Sequence, residues 1–221
     1  MYQIARMHWW MVAGWLGAAA PGGASAQTPE PVREGRWSIG FTFGDVRYRG
    51  GTKETPTEDG VLRFTPYRPA PVGLRGEFGG AGLRVSLGIE YAEPGLAGIG
   101  SPEPGQPATG TIVVEHLLKT YTITPTVSVG VTRFKGGGRL RAGLGALLER
   151  WELPGEPSRH RAGLVGLLTL ELALFGSWSG SATASYGVTP TSPLTAEDLP
   201  DRYEPAALWR RGLTGGVSYR F

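Results

Sequence analysis

The sequence predicts an all-β fold, an eight-stranded antiparallel up-and-down transmembrane β-barrel, and three observations carry that expectation. The first is composition. With 36 Gly and 18 Pro in 221 residues, the chain holds about twice the glycine of an average protein, and these are the two residues that most weaken a helix interior. The second is strict two-residue alternation of apolar with small or polar side chains, the period of a strand with two unlike faces. The third is the rhythm of the connections, which alternate between tight glycine turns and long Gly/Pro/polar stretches.

Taken in chain order, residues 1–26 read as a signal peptide. Arg6 gives a positive start, Trp9 to Ala20 an apolar core, and Ala24-Ser25-Ala26 a small-residue cleavage pattern before Gln27; the apolar core falls short of the ~20 residues that a membrane-spanning helix needs. Residues 27–35 form a short polar leader expected in the periplasm, and 36–221 the barrel domain.

Strands are expected at 36–48, at 72–78 with an upstream extension from Val61, at 83–92, across 111–133, at 139–149, and at 161–175, 177–188 and 208–221. The fourth is the clearest. Tyr121, Ile123, Pro125, Val127, Val129 and Val131 share one face, and Thr122, Thr124, Thr126, Ser128, Gly130 and Thr132 the other. Residues 68–71 (RPAP) could split the second strand, but an even strand count would then need a second break within 111–133, where no turn signal stands, so both stretches are kept whole. Gly79-Gly80, Lys135 to Gly138 and the region of Gly176 are hairpin turns. The long connections are 49–60, 94–110, 153–160 and 189–207. In an antiparallel meander every second connection emerges at the same end, so the short turns gather at one end and the long loops at the other, as in membrane barrels.

Both soluble and membrane barrels alternate, so the distribution of residue types decides which face meets lipid. One face runs to Leu, Val, Ile and aromatics on nearly every strand. Trp37, Phe78, Phe134, Trp178, Tyr219 and Phe221 fall at the short-turn end, and Tyr91, Tyr121, Tyr186 and Trp209 at the loop end, the positions of two interfacial girdles. The other face carries Arg75, Glu77, Arg84, Glu90, Arg139, Arg141, Glu149, Glu171, Arg210 and Arg220 among Gly, Ser and Thr. Ten charges of both signs in a lumen just wide enough for side chains are expected to pair across it. Arg47, Arg133 and Arg211 lie on or near the lipid-facing parity, but close to strand ends, where an arginine costs about 0–1 kcal/mol instead of 2–4.

The last strand alternates Leu213, Gly215, Val217, Tyr219 and Phe221, and it resembles the C-terminal strand of bacterial outer-membrane barrels. The chain resembles the small eight-stranded members of that class over 36–221. The resemblance implies an outer-membrane location in a two-membrane bacterium and contact with outer-membrane lipid. It also implies recognition of Tyr219 and Phe221 by the barrel-assembly machinery; an unidentified extracellular partner reached through the loops is expected from the filled lumen and the rigid anchor.

Enzymatic chemistry has weak candidates. His116, His160, Ser158 and Glu115 fall near the long-loop rim, where a His beside a Ser and an acid would suit acyl transfer to or from lipid A, although the His-x-Ser spacing of the deacylating barrels is missing. Residues 176–180 (GSWSG) place Trp178 where a nucleophile elbow requires Ser. Gly136 to Gly138 precede no helix and no Lys-Ser/Thr pair, so they form a turn and no phosphate cradle. Glu197, Asp198, Asp201 and Glu204 lack the spacing of a calcium loop. No cofactor or metal is expected. A net charge of +3 without a basic run gives no ground for a nucleic-acid partner, and the absence of cysteine excludes disulfides and thiolate metal sites. The expected role is that of a structural anchor with a side-chain-filled lumen that presents outer loops; a small-solute or hydrophobic-ligand conduit is the alternative.

Overall fold

The structure, a computed structural model, describes residues 37–57, 60–104, 106, 108–135, 137–194 and 204–221. The expected signal peptide and leader, and Glu197, Asp198 and Asp201 of the acidic loop, lie outside the described residues.

Among the described residues, twelve strands form two sheets. In chain order they are β1 (Trp37–Thr52), β2 (Thr55–Thr57), β3 (Gly60–Tyr67), β4 (Val72–Gly79), β5 (Leu83–Ala92), β6 (Gly95–Ser101), β7 (Gly110–Val114), β8 (Lys119–Arg133), β9 (Arg139–Glu152), β10 (Arg159–Ala173), β11 (Trp178–Thr189) and β12 (Pro205–Arg220). Eight of them, β1, β4, β5 and β8 to β12, close into an antiparallel barrel in which each pairs with the next and β12 returns to β1. Closure satisfies every internal strand's backbone groups, which is what a sheet needs in hydrocarbon.

The pleat sorts the side chains as the alternation predicts. Ile39, Phe41 and Phe43 point outward and are exposed, as are Leu144 (75 %) and Leu164 (68 %), while Ser38, Thr122, Thr126, Arg141 and Glu149 are buried inside. An exterior of bare Leu, Val, Ile and Phe around a polar interior is stable only with hydrocarbon outside. The aromatics gather in two belts. At the short-turn end the rings of Trp37 and Phe78 lie 4.6 Å apart and those of Trp178 and Tyr219 5.2 Å. At the loop end Tyr91 pairs with Tyr121 at 5.1 Å and Tyr186 with Trp209 at 5.6 Å. The short turns are hairpins as expected: Gly79, Gly137 and Gly176 all take positive φ, and Phe134 N–H donates to Gly138 O at 2.8 Å.

Two expectations about the strands are corrected. The stretch 61–78 is not one strand: it breaks at 68–71, where Arg68 has φ +28°, and the part before the break, β3, leaves the barrel. The stretch 111–133 breaks as well, at 115–118, where His116 has φ +53°, and β7 leaves the barrel in its turn. The two breaks compensate, so the barrel keeps eight strands. The strands that leave join β2 and β6 in a second antiparallel sheet of order β2-β3-β6-β7, built inside connections expected to be irregular. Phe64 stands opposite Gly98 in this sheet. A Cβ on Gly98 would lie 3.3 Å from the Phe64 ring, so glycine is what leaves that ring its space beside β6.

Candidate functional site: a charged lumen beneath a structured cap

The lumen's charged residues form two layers. In the layer nearer the short turns, Glu77 accepts from Arg84 at 2.9 Å and pairs with Arg75 Nε at 2.9 Å. Glu171 bridges Arg84 and Arg220, the latter at 3.4 Å. Ser38 Oγ donates to Glu77 at 3.2 Å, and Arg75 donates to Ser86 Oγ at 2.9 Å. In the layer nearer the loops, Arg210 donates to Glu90 at 2.6 Å and faces Glu149 Oε1 at 3.8 Å. The second oxygen of Glu149 accepts from Trp151 Nε1 and from Thr189 Oγ1, each at 3.2 Å. The geometry places nine of the ten predicted lumen charges in these contacts or in the one described next, and Arg139 stands at the start of β9 opposite Glu171 on β10.

Arg141 departs from the expected cross-lumen pairing. The residue is 2 % exposed, yet among the described residues its hydrogen bonds go to no carboxylate: Ala81 O at 3.1 Å, Gly82 O at 3.0 Å and Ser128 O at 3.1 Å accept from its terminal nitrogens, and Ser128 Oγ accepts from Nε at 3.3 Å. The fork of donors fits the open carbonyls of the β4–β5 turn, which closes that end of the lumen with backbone. Between the two layers lies a cavity of about 50 Å³, with Thr42, Thr124, Thr126, Thr183 and Thr214 in its wall beside Arg75 and Arg210. That is room for a few waters.

Above the loop-side layer the interior turns apolar. Trp151, Leu118 and Leu208 are buried against one another, with Tyr48, Leu96, Leu117 and Leu153 around them. Leu96 and Leu153 also pack on buried Leu194, together with Leu62 and Phe64 of the cap sheet. All four long connections thus contribute to one stopper over the mouth. Polar clasps hold it: Arg161 Nε donates to Ser192 O at 2.8 Å, Arg159 to Pro193 O at 3.0 Å, and Lys53 pairs with Glu204 at 2.5 Å. Lys53 holds the exposed Glu204 carboxyl below the usual carboxylate range, so this clasp is intact at neutral pH and is lost as pH falls through the lowered value.

The sequence reading did not find this stopper. Tyr48, Trp151 and Leu208 stand on the lumen-facing parity, so large apolar residues interrupting the polar face near the loop end are the signal that could have revealed it.

The rim candidates for catalysis are not drawn together. His116 lies 3.4 Å from Glu93, and both are exposed. His160 is exposed and offers its backbone carbonyl to Arg161. Ser158 and Glu115 are exposed loop residues, and among the described residues neither is hydrogen-bonded or ion-paired to a histidine. Glu93 is held low first by the Tyr91 hydroxyl and then by His116, the electrostatics of a surface pair.

A closed eight-stranded antiparallel meander, two aromatic belts, short turns at one end and long loops at the other together define the architecture. It is the fold of the small eight-stranded outer-membrane barrels. The Neisserial surface protein A crystal structure is similar over 84 % of this chain and 97 % of its own, with a TM-score of 0.55 at 11 % identity. The outer membrane protein OprG from Pseudomonas aeruginosa matches over 86 % and 99 %, with a TM-score of 0.51 at 11 % identity. The outer membrane protein AlkL, solved in lipid bilayers, matches over 91 % and 97 %, with a TM-score of 0.52 at 12 % identity. No protein-family model matches the chain, and neither does any curated protein.

Proposed function

We infer that this protein sits in the outer membrane as a closed barrel whose work is done by the structured cap on its outer end, a rigid anchor for loops that meet an extracellular partner. The observation that carries this reading is the double obstruction of the lumen: two layers of paired charge, and above them a stopper in which Trp151 of β9 and Leu208 of β12 pack with Leu118, Leu96 and Leu153 of the connections, the last two also packing on Leu194. A pore would be expected to keep a continuous water path. A loop sheet with its own buried residues, such as Ala97 at 0 % and Val61 at 6 %, instead fits a surface that must keep its shape. A route for small solutes is disfavoured by the same obstruction. Among the described residues, lipid A chemistry finds no assembled nucleophile, base and acid at the rim.

Planar-bilayer recording tests the reading. Purified protein is expected to insert without steady conductance, and large, stable single-channel steps would overturn the anchor in favour of the conduit.

A further inference from the structure

We propose that Arg47, Arg49 and Arg211 form a binding site, on the membrane-facing wall, for the phosphomonoester of an anionic lipid headgroup, as distinct from a zwitterionic phosphodiester, in the leaflet at the long-loop end. The inference rests on the barrel spanning a bilayer and is independent of what the cap does.

Parity places the three arginines outside. On β1, Arg47 and Arg49 follow Phe41 and Phe43 at two-residue steps, and on β12, Arg211 follows Trp209 and precedes Leu213, all of them outward. The ladder then fixes their depth. Tyr186, Arg211 and Arg47 are opposite one another across β11, β12 and β1, and Val188, Trp209 and Arg49 form the next row. Tyr186 and Trp209 are the ring pair of the outer girdle, and such rings sit at headgroup level. The guanidinium groups are therefore at the level of lipid phosphates.

Stability gives no reason for this arrangement. Arg47 and Arg211 face each other directly across neighbouring strands, a like-charge pair that destabilises a sheet. The carboxylate drawn to the group is Asp45, 3.3 Å from Arg47, and both partners are substantially exposed. Arg49 and Arg211 have no ion-pair or hydrogen-bond partner among the described residues. The opposite wall, on β9, is arranged differently: Arg150 there is matched by Glu152 at 2.8 Å. An excess of positive charge confined to one wall, at phosphate depth, is satisfied by an anion from outside. Adjacent strands run about 5 Å apart, so Arg47 and Arg211 can hold one phosphate between them, each by a pair of N–H donors, with Arg49 one row further toward the loops.

The test uses full-length protein in nanodiscs of phosphatidylcholine, either alone or doped with lipid A bearing its phosphates or with the dephosphorylated form. Two readouts are taken: lipid A retained after detergent washing, by native mass spectrometry, and the heat-modification midpoint. Wild type is expected to retain the phosphorylated lipid, with retention falling roughly fivefold for each arginine removed in Arg47→Gln, Arg49→Gln and Arg211→Gln and their combination. Arg150→Gln on the opposite wall is expected to leave it unchanged. In phosphatidylcholine alone, Arg211→Gln should be at least as heat-stable as wild type, because the repulsion with Arg47 is gone; with phosphorylated lipid A present it should be less stable. That reversal of sign separates binding from a merely structural role. Equal loss of stability in both lipids, equal retention of dephosphorylated lipid A, or equal loss of retention in Arg150→Gln would overturn the site. Stabilisation of detergent-solubilised protein by inorganic phosphate to the same degree would overturn its assignment to a lipid headgroup.

Discussion

Single residues in this barrel are valued by what they face. Val127 looks into hydrocarbon at 50 % exposure, and its neighbour Thr126 lines the lumen at 4 %. Val127→Arg should impair folding into bilayers by about 2–4 kcal/mol near the midplane, whereas Thr126→Arg enters a polar space beside the mid-lumen cavity and should cost less; folded fraction against urea in vesicles measures both. Inside, Glu171 is the carboxylate shared by Arg84 and Arg220. Breaking a dry buried pair costs about 3–5 kcal/mol. Arg84 keeps Glu77, and Glu171 lines a small space of its own beside Arg75 and Glu77 that water can enter, so Glu171→Ala should lie at the lower end of that range, read as a lower heat-modification midpoint. The identity of the lumen residues was legible because every inward position is two residues from the next. Their partners were not. That Arg141 would be served by the carbonyls of Ala81 and Gly82 depends on how a turn folds back over the barrel end, and periodicity carries no information about that.

At the scale of elements, the barrel strands announced themselves and the cap strands did not. A membrane strand must be apolar on a whole face for ~10 residues. A cap strand needs only a few buried contacts, and β6, with its three glycines, looks like the Gly/Pro-rich loop around it. The breaks at 68–71 and 115–118 were hard to read for a related reason. Arg68 and His116 take the positive φ that glycine usually marks, so the chain turns without the expected signal. The cap nevertheless depends on one glycine. Gly98→Val would drive a side chain into the Phe64 ring and, as an overpacked substitution, should cost about 1–3 kcal/mol. The loss should fall on the cap alone: protease should cut within 52–66 or 95–113 while the barrel stays heat-modifiable. Coincident loss of both would mean that cap and barrel fold as one unit.

For the whole molecule, the decisive feature is that two seals stand in series along one axis. The charge layers belong to the barrel wall, held by residues of β4, β5, β9, β10 and β12. The stopper belongs partly to the connections, since Leu96, Leu153 and Leu194 come from three of them. The two can therefore be removed separately. Replacing 53–67 and 94–118 by short glycine-serine turns would delete the second sheet and with it Leu62, Phe64, Leu96, Leu117 and Leu118 of the stopper, while leaving Trp151 and Leu208 on the barrel strands and the charge layers in place. Loop closure entropy favours the shorter connections slightly, so the trimmed barrel is expected to fold. If the lumen charges seal the barrel, the trimmed protein should remain non-conducting, because paired Arg and Glu chains still fill a bore only as wide as side chains. Adding Glu171→Ala and Glu149→Ala to the trimmed protein should then admit water and give measurable current, since Arg84, Arg220 and Arg210 lose partners that hold them across the bore. Current from the trimmed protein alone would assign the seal to the cap, and it would change the cap's meaning from a surface for partners to a gate over a channel.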